Sequence, residues 1–230
     1  MKINFFTILF FFCPFVLLSQ HKTDKETQDY IDGKYVQLSN AIKFDPVRMI
    51  IGDISFSYER VVGQKASLEL EIGPTISNTG LNRLNFNFID DDDINGFSVG
   101  NESALGILGS LAFRYYVLNG RPAMNQLYIS PKYKFRQYNE MNNASGYNLE
   151  SIKGGIQQHI FTFNIGMQFW VSKSFSLDCY VGFGLTSNHR TRYAVVENYT
   201  GSEYVYDWYK YTKNSVNPTI STGLKLGLGF

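Results

Sequence analysis

The chain has 230 residues, enough for one domain or two small ones, and its formal net charge of +1 gives no indication of a nucleic-acid partner. Charged residues make up 18% of it and aromatic residues 16%, so it is charge-poor and aromatic-rich beside the roughly 25% charge of a soluble domain. The mean hydropathy is nevertheless slightly negative, which excludes a bundle of transmembrane helices and favours strands.

The N-terminus has the order of a secretory signal peptide. A basic start at Lys2 is followed by the apolar run Ile3–Leu18, and small Ser19 suits cleavage. We therefore predict a signal peptide over residues 1–19, with an uncleaved membrane anchor as the alternative.

The segment after the predicted cleavage point is polar and charged. We interpret residues 20–36 as a flexible periplasmic segment that precedes a barrel over residues 37–230. Cys13 is lost with the signal peptide, so the exported chain keeps only Cys179 and forms no intramolecular disulfide.

From residue 37 onward, apolar and polar residues alternate with a period of two. A strand places successive side chains on opposite faces, so each such segment predicts a strand with one apolar face. Eight segments show the pattern: Asn40–Pro46, Asp53–Val62, Ala66–Ser77, Ala104–Leu118, Gln126–Asn139, Gln158–Val171, Phe175–Asn188 and Thr219–Phe230.

The connections between these strands alternate in length, apart from a first short one around Pro46–Gly52. The short ones are Val62–Lys65, Asn119–Asn125 and Val171–Ser174, and the long polar ones are Asn78–Ser103, Glu140–Gln157 and Ser187–Asn217. Outer-membrane barrels have short periplasmic turns and longer external loops. The pattern therefore predicts an all-β fold, an eight-stranded antiparallel transmembrane up-and-down β-barrel. A soluble sandwich or lipocalin-like barrel is the alternative.

Charged residues of both signs lie opposite the apolar faces. An eight-stranded barrel has an interior just wide enough to be filled by side chains, and buried charges persist when they are paired. We predict an interior network of salt bridges, with a narrow ion path as the functional alternative. Its members are Lys43, Asp45, Glu59, Glu69, Glu71, Arg114, Lys132, Lys134, Arg136, Asp178 and Lys225.

The last residues resemble the C-terminal signal by which the barrel assembly machinery recognises outer-membrane barrels. That signal is a terminal aromatic residue preceded by alternate apolar residues, here Leu224, Leu226, Leu228 and Phe230. The segments Ile42–Pro46 and Gly52–Arg60 resemble the opening of a family of small eight-stranded outer-membrane β-barrel proteins found in Bacteroidota. The resemblance implies a fold and a location in the bacterial outer membrane, among its lipids and lipopolysaccharide, and it carries no active site. We expect a monomer.

One trio of residues suggests a hydrolase. Ser187, His189 and Glu197 loosely resemble the Ser, His and Glu of lipid A deacylases, in which a base activates the hydroxyl and an acid orients the base. The His-x-Ser order of that family is not reproduced. We predict no enzymatic activity and keep a lipid A-modifying hydrolase at the outer rim as the alternative.

Two loop features remain. The run Asp90–Asp93 is interpreted as a solvated loop, because its consecutive acids lack the ligand spacing of a calcium loop, and we predict neither a metal nor a cofactor. Aromatic residues cluster in the last long connection, and some alternate, which indicates that the flanking strands extend beyond the membrane as a hairpin. These residues either recognise a ligand that the sequence does not specify or pack the loops together. They are Tyr199, Tyr204, Tyr206, Trp208 and Tyr209.

Overall fold

The computed structural model describes residues 38–50, 52–76, 100–118, 121–143, 149–172, 174–201 and 204–230. The predicted signal peptide, the periplasmic segment up to residue 36 and the run Asp90–Asp93 lie outside these ranges. The described elements are β1 (Asn40–Phe44), α1 (Pro46–Ile50), β2 (Phe56–Gly63), β3 (Ala66–Ile76), β4 (Gly100–Tyr116), β5 (Leu127–Asn143), β6 (Ile152–Trp170), β7 (Phe175–Tyr199) and β8 (Tyr204–Gly229). No helix within the described ranges is long and apolar enough to cross a membrane.

The eight strands form one closed antiparallel ring. Each strand pairs with the next one along the chain, and β1 pairs with β8, with Ala41 opposite Gly229 and Phe44 opposite Leu226. The ring leaves β1 and β8 paired with each other instead of lying at the two edges of an open sheet. The predicted all-β class and the order of eight antiparallel strands are confirmed.

The strands β7 and β8 are much longer than the alternation predicts. They have 25 and 26 residues and remain paired up to Tyr199 opposite Tyr204. The predicted long connection at Ser187–Asn217 is therefore wrong, because nearly all of it is strand. Backbone pairing continues where the apolar face ends, and only the alternation of some aromatic residues indicated the hairpin that the structure contains.

The strands β4, β5 and β6 also extend into segments predicted as connections. β5 ends at Asn143, and β6 begins at Ile152 and pairs with β5 along its length. By contrast, β1 and β2 are shorter than predicted, because the chain between them forms α1 instead of continuing as strand.

The helix α1 is built from local signals. The carboxylate of Asp45 accepts a hydrogen bond from the backbone nitrogen of Arg48 at 3.0 Å, which is the bond of an N-cap residue. Pro46 suits the first helical position because its φ is already helical and it has no N–H to satisfy. Gly52, with φ of 95°, follows the helix in the left-handed conformation. The predicted short connection at Pro46–Gly52 is therefore a capped helical turn, and it packs against β8.

The ring is inverted in polarity compared with a soluble protein. Its outer face exposes large apolar side chains, among them Ile72 at 74% and Phe183 at 63% exposure. Its inner face buries charged ones, among them Glu59 at 0% and Lys225 at 1%. Soluble monomers rarely expose such continuous apolar surface.

An apolar cluster closes the end of the ring that carries the short turns. Ala41, Ala123 and Met124 are fully or nearly fully buried there against Tyr116 and Tyr128. The connection between β4 and β5 therefore folds inward and lies beneath the charged interior.

Glycines on the inner face make room for larger side chains. A Cβ on Gly182 would overlap Asn164, and a Cβ on Gly166 would overlap the ring of Tyr128. The interior therefore tolerates its tyrosines because the facing positions lack side chains.

Candidate functional site

All of the residues predicted to fill the interior are buried inside the ring. They form two groups, which differ in their distance from the short turns. The turn-side cluster comprises Lys43, Arg114, Lys225, Glu59, Glu69 and Asp178. The hairpin-side cluster, farther from the short turns, comprises Arg48, Lys132, Lys134, Arg136, Asp45, Asp53 and Glu71.

The turn-side cluster is centred on Asp178 of β7. The Nζ atom of Lys43 lies 2.8 Å and the Nη1 atom of Arg114 lies 2.6 Å from its Oδ2 atom. Tyr128 donates its hydroxyl proton to the other oxygen at 2.7 Å. Each oxygen of this buried carboxylate therefore accepts hydrogen bonds from side chains on other strands.

Two further carboxylates balance the remaining cations of this cluster. Glu69 accepts a hydrogen bond from Lys225 at 2.5 Å and pairs with Arg114, and Glu59 pairs with Lys43. The cluster thus has three basic and three acidic side chains, each in contact with an opposite charge. Pairing of this kind is what offsets the cost of burying charge.

The hairpin-side cluster is centred on Asp53 and Glu71. Lys134 and Arg136 approach Asp53 at 2.5 and 2.9 Å. Lys132 donates to Glu71 at 2.5 Å, and Lys225 lies 3.8 Å from the same carboxylate oxygen, which joins the two clusters. Four basic side chains here face three acidic ones, with Arg48 and Asp45 completing the set.

Arg48 and Asp53 were not predicted as interior residues. Both lie between β1 and β2, where α1 turns Arg48 inward and Asp53 pairs with Thr75 of β3 through an isolated bridge. A period of two does not apply to a helical turn, so no alternation marked Arg48. Asp53 begins the predicted strand Asp53–Val62 on the same face as Glu59, so the alternation marked its face, although it was not assigned to the interior network. The Asp45-Pro46 pair was the available signal, because it is a helix start.

Three buried tyrosines were also missed. Tyr116, Tyr128 and Tyr180 point inward, and their hydroxyls donate to Glu59 at 2.6 Å, Asp178 at 2.7 Å and Asp45 at 3.2 Å. Each lies two or four residues from a predicted interior charge on the same strand. The alternation therefore marked their face, although aromatic residues were assigned to the apolar side.

Small cavities remain among these side chains. One of about 40 Å³ lies beside Arg48, Lys134 and Arg136, and one of about 10 Å³ lies beside Arg114. One water molecule needs roughly 10–15 Å³, so these two cavities hold a few water molecules and no large ligand. Charged and aromatic side chains fill the interior around them.

The suggested catalytic trio is not assembled. Ser187 and His189 lie exposed on one face of β7, and the His189 ring is hydrogen-bonded through Nδ1 to Asn214 at 2.6 Å. Glu197 is eight residues farther along the same strand, roughly 27 Å at about 3.4 Å per residue, and it accepts a hydrogen bond from Tyr206. No acid of this trio lies beside the histidine, so the structure does not bring together the residues that the hydrolase alternative requires.

The aromatic residues near the tip of the β7–β8 hairpin divide into two groups. Trp208 donates from Nε1 to the backbone oxygen of Glu150 at 3.0 Å and packs edge-on against Tyr193. The rings of Tyr199 and Tyr204 contact each other near the tip in a tilted arrangement, with centroids 5.2 Å apart, and remain 65% and 64% exposed. The first group packs the hairpin against the β5–β6 connection, and the second is available to a partner.

The two remaining aromatic residues of the predicted recognition set follow the same division. Tyr209 is 59% exposed, whereas Tyr206 is half-buried and donates its hydroxyl to Glu197. Packing therefore applies to Trp208 and Tyr206, whereas recognition by the exposed Tyr199, Tyr204 and Tyr209 stays a prediction.

The predicted assembly residues line the outer face of β8 at the short-turn end. Leu228 and Phe230 are 61% exposed, while Leu224 and Leu226 are half-buried. Backbone bonds between Phe230 and Asn40, at 3.0 and 3.2 Å, tie this end to β1.

Within the part of the chain that the structure describes, no group of three or more His, Cys, Asp or Glu side chains has the geometry of a metal site. Comparisons of the chain with protein-family models, with curated proteins and with solved structures found no match.

Proposed function

We propose that the chain is a transmembrane β-barrel of a bacterial outer membrane, with a structural, side-chain-filled interior and a binding surface on the β7–β8 hairpin. The observation that carries the proposal is the inverted polarity of the ring. Apolar side chains cover its outside and paired charges fill its inside. A lipid environment favours this arrangement, whereas water disfavours it.

The apolar band has a height that suits a bilayer. On the paired strands β6 and β7 the outward residues are apolar from Phe169 opposite Leu177 to Phe161 opposite Leu185. Eight residues rise roughly 27 Å along a strand, or about 21 Å after a tilt near 40°, close to the band of about 25 Å in outer-membrane barrels. The next outward pair is polar, His159 opposite Ser187.

The ends of the ring suggest an orientation. Both described chain ends and the short turns lie at one end, which outer-membrane barrels keep in the periplasm. Exposed Tyr58, Tyr115 and Phe230 lie near that end, as aromatic residues do at a bilayer interface. The β7–β8 hairpin then extends outside the cell.

The hairpin is suited to recognition. Beyond Thr191, β7 pairs only with β8 within the described residues, so the two strands form a ribbon beyond the ring, with Trp208 bonded to Glu150. Exposed Tyr199, Tyr204 and Tyr209 lie on this ribbon. Tyrosine side chains provide a large contact area at low cost in conformational entropy. We therefore place recognition of a surface partner on this hairpin.

The first test combines cell fractionation with a gel assay. We expect the protein in the outer-membrane fraction, resistant to SDS without heating and shifted in mobility after boiling. Protein in the soluble periplasm with no heat shift would overturn the proposal, because the same ring would then be a soluble protein.

Orientation is tested separately. An epitope inserted after Gly201, at the hairpin tip, should be detected by antibody on intact cells. The control carries the epitope after Gln64, in the β2–β3 turn, and should be detected only after permeabilisation. The reverse result would contradict the external position of the hairpin.

A further inference from the structure

The charges around Asp53 are unbalanced. Its carboxylate lies 2.5 Å from Lys134 Nζ, 2.9 Å from Arg136 Nη2 and 3.5 Å from Arg48 Nη1. One negative charge therefore faces three positive ones, all buried. Excess charge in such surroundings calls for a counter-ion or a further partner.

Neighbouring acids do not correct the imbalance. Glu71 is held by Lys132 at 2.5 Å, and it already accepts hydroxyl protons from Ser55 and Ser110. Asp45 caps α1 and lies 3.9 Å from Arg48, at the limit of an ion pair. The hairpin-side cluster as a whole keeps one positive charge in excess, four basic against three acidic side chains, whereas the turn-side cluster is balanced.

The excess charge borders empty space. The cavity of about 40 Å³ is lined by Arg48, Lys132, Lys134 and Arg136, together with three threonines and a serine. Arg136 is only 5% exposed, yet its Nε atom has no hydrogen-bond partner among the described residues. A buried donor without a partner, next to a basic cavity, indicates a missing acceptor.

We propose that this cavity binds a phosphate-class oxyanion, either free phosphate or the phosphomonoester of a lipid headgroup. Guanidinium groups match the oxygens of phosphate through two parallel hydrogen bonds, and lysine and hydroxyl donors complete a tetrahedral set. The cavity admits about three water-sized groups, which suits a single phosphate group. Bound there, the anion neutralises the excess charge and links β5 to α1.

The test uses the refolded full chain in uncharged detergent, titrated with inorganic phosphate in a calorimeter. We expect saturable binding of one phosphate per chain and much weaker binding of chloride, which cannot accept bonds at several oxygens. Equal binding of chloride, or no saturable binding of phosphate, would overturn the proposal.

Three variants locate the site. Arg136→Gln should weaken phosphate binding by about tenfold or more, since a hydrogen bond to a charged group contributes about 1.5–3 kcal/mol. Thr186→Leu keeps every charge but occupies the cavity and should also abolish binding. Asp53→Asn should tighten binding, because it removes the competing negative charge.

Asp53→Asn is expected to raise the affinity for phosphate, whereas misfolding can only lower it. A tightened complex in this variant therefore cannot result from misfolding. Lys153→Gln, at an exposed position of β6, is the control and should bind phosphate as the wild type does. Binding that is unchanged in Arg136→Gln and weakened in Asp53→Asn would place the anion elsewhere.

An experiment in lipid discs distinguishes the two sources of the anion, free phosphate and a lipid headgroup. Discs of phosphatidylcholine with and without phosphatidate are compared for displacement of bound phosphate. Displacement by phosphatidate indicates a lipid headgroup, and displacement by free phosphate alone indicates the soluble anion. Only the lipid arm depends on residence in a membrane, so a failed membrane assignment leaves the phosphate titration valid.

Discussion

Lys43 of β1 and Asp178 of β7 are 135 residues apart in the chain, and their side chains meet at 2.8 Å inside the ring. Neither strand pairs with the other. Both reach this contact because β8 lies between them and closes the ring. The pair therefore forms only once the ring is complete. It links β1 to β7, across the strand β8 that pairs with both.

Removing the acidic partner should be costly. In Asp178→Asn, Lys43 and Arg114 keep their buried charges without the carboxylate that both contact. Leaving a buried charge uncompensated costs about 3–5 kcal/mol. We expect a loss of that size in the free energy of unfolding, measured by urea titration of the protein refolded into lipid vesicles.

The matched control is Glu150→Gln, an exposed acid outside the ring interior, which should change the unfolding free energy by less than about 0.5 kcal/mol. Equal effects of the two variants would show that the interior charges do not support the fold.

The sequence predicted the ring interior well because alternation fixes which face a residue occupies once the strand is known. Arg114 and Glu69 were identified this way, although nothing in the sequence shows that they pair with each other. Arg48 escaped because it lies on a helical turn. Tyr180 escaped because an aromatic residue fits either face, and only the glycine opposite it, Gly223, allows it inside.

The extent of the strands was less predictable. Beyond Leu185 the outward residues of β7 become polar, so the signal that marks a half-buried strand disappears while the backbone pairing with β8 continues. The rim of the ring and the hairpin depend on hydrogen bonds between strands, and these are invisible to a pattern of apolar residues. The candidate anion cavity was missed for the related reason that it depends on Arg48.

Gly223 should be sensitive to the smallest addition. A Cβ there would overlap Tyr180 and the carboxylate of Asp45, and both are held in place by buried hydrogen bonds. We expect Gly223→Ala to lower the free energy of unfolding by about 1–3 kcal/mol, the cost of overpacking. Gly63→Ala, where an added Cβ meets nothing within 4 Å, is the control. A Gly223→Ala protein as stable as the Gly63→Ala protein would show that the interior is loosely packed.

The filled interior should block ion flow. Tyr116 and Tyr128 are the two largest fully buried side chains among the described residues and belong to the apolar cluster that closes the short-turn end. We expect the wild-type protein to be silent in planar bilayers, and the double variant Tyr116→Ala and Tyr128→Ala to conduct. Removing two tyrosines from the hairpin tip, in Tyr199→Ala and Tyr204→Ala, should leave the bilayer silent. Steady conductance of the wild-type protein would instead favour the narrow ion path.

The rim histidine should be dispensable for lipid chemistry. His189 has Asn214 as its partner at Nδ1 and no acid of the suggested trio beside it. Lipid A from cells that carry His189→Ala should have the same mass spectrum as lipid A from wild-type cells. A change in acylation that also appears in Ser187→Ala would restore the hydrolase hypothesis, whereas His159→Ala serves as a control for the loss of a histidine elsewhere.

The β7–β8 hairpin should be separable from the ring. The last pair between β6 and β7 is Gly155 opposite Thr191, so the ribbon beyond it contributes nothing to ring closure within the described residues. Arg190 lies opposite Lys213, and an Asn-Gly turn joining these two residues suits a two-residue hairpin. The shortened protein should keep its heat-dependent mobility shift and lose binding to whatever surface partner the full chain recognises. A shortened protein that no longer shifts on heating would show that the ribbon, with its hydrogen bond from Trp208 to the β5–β6 connection, is needed to hold the ring together.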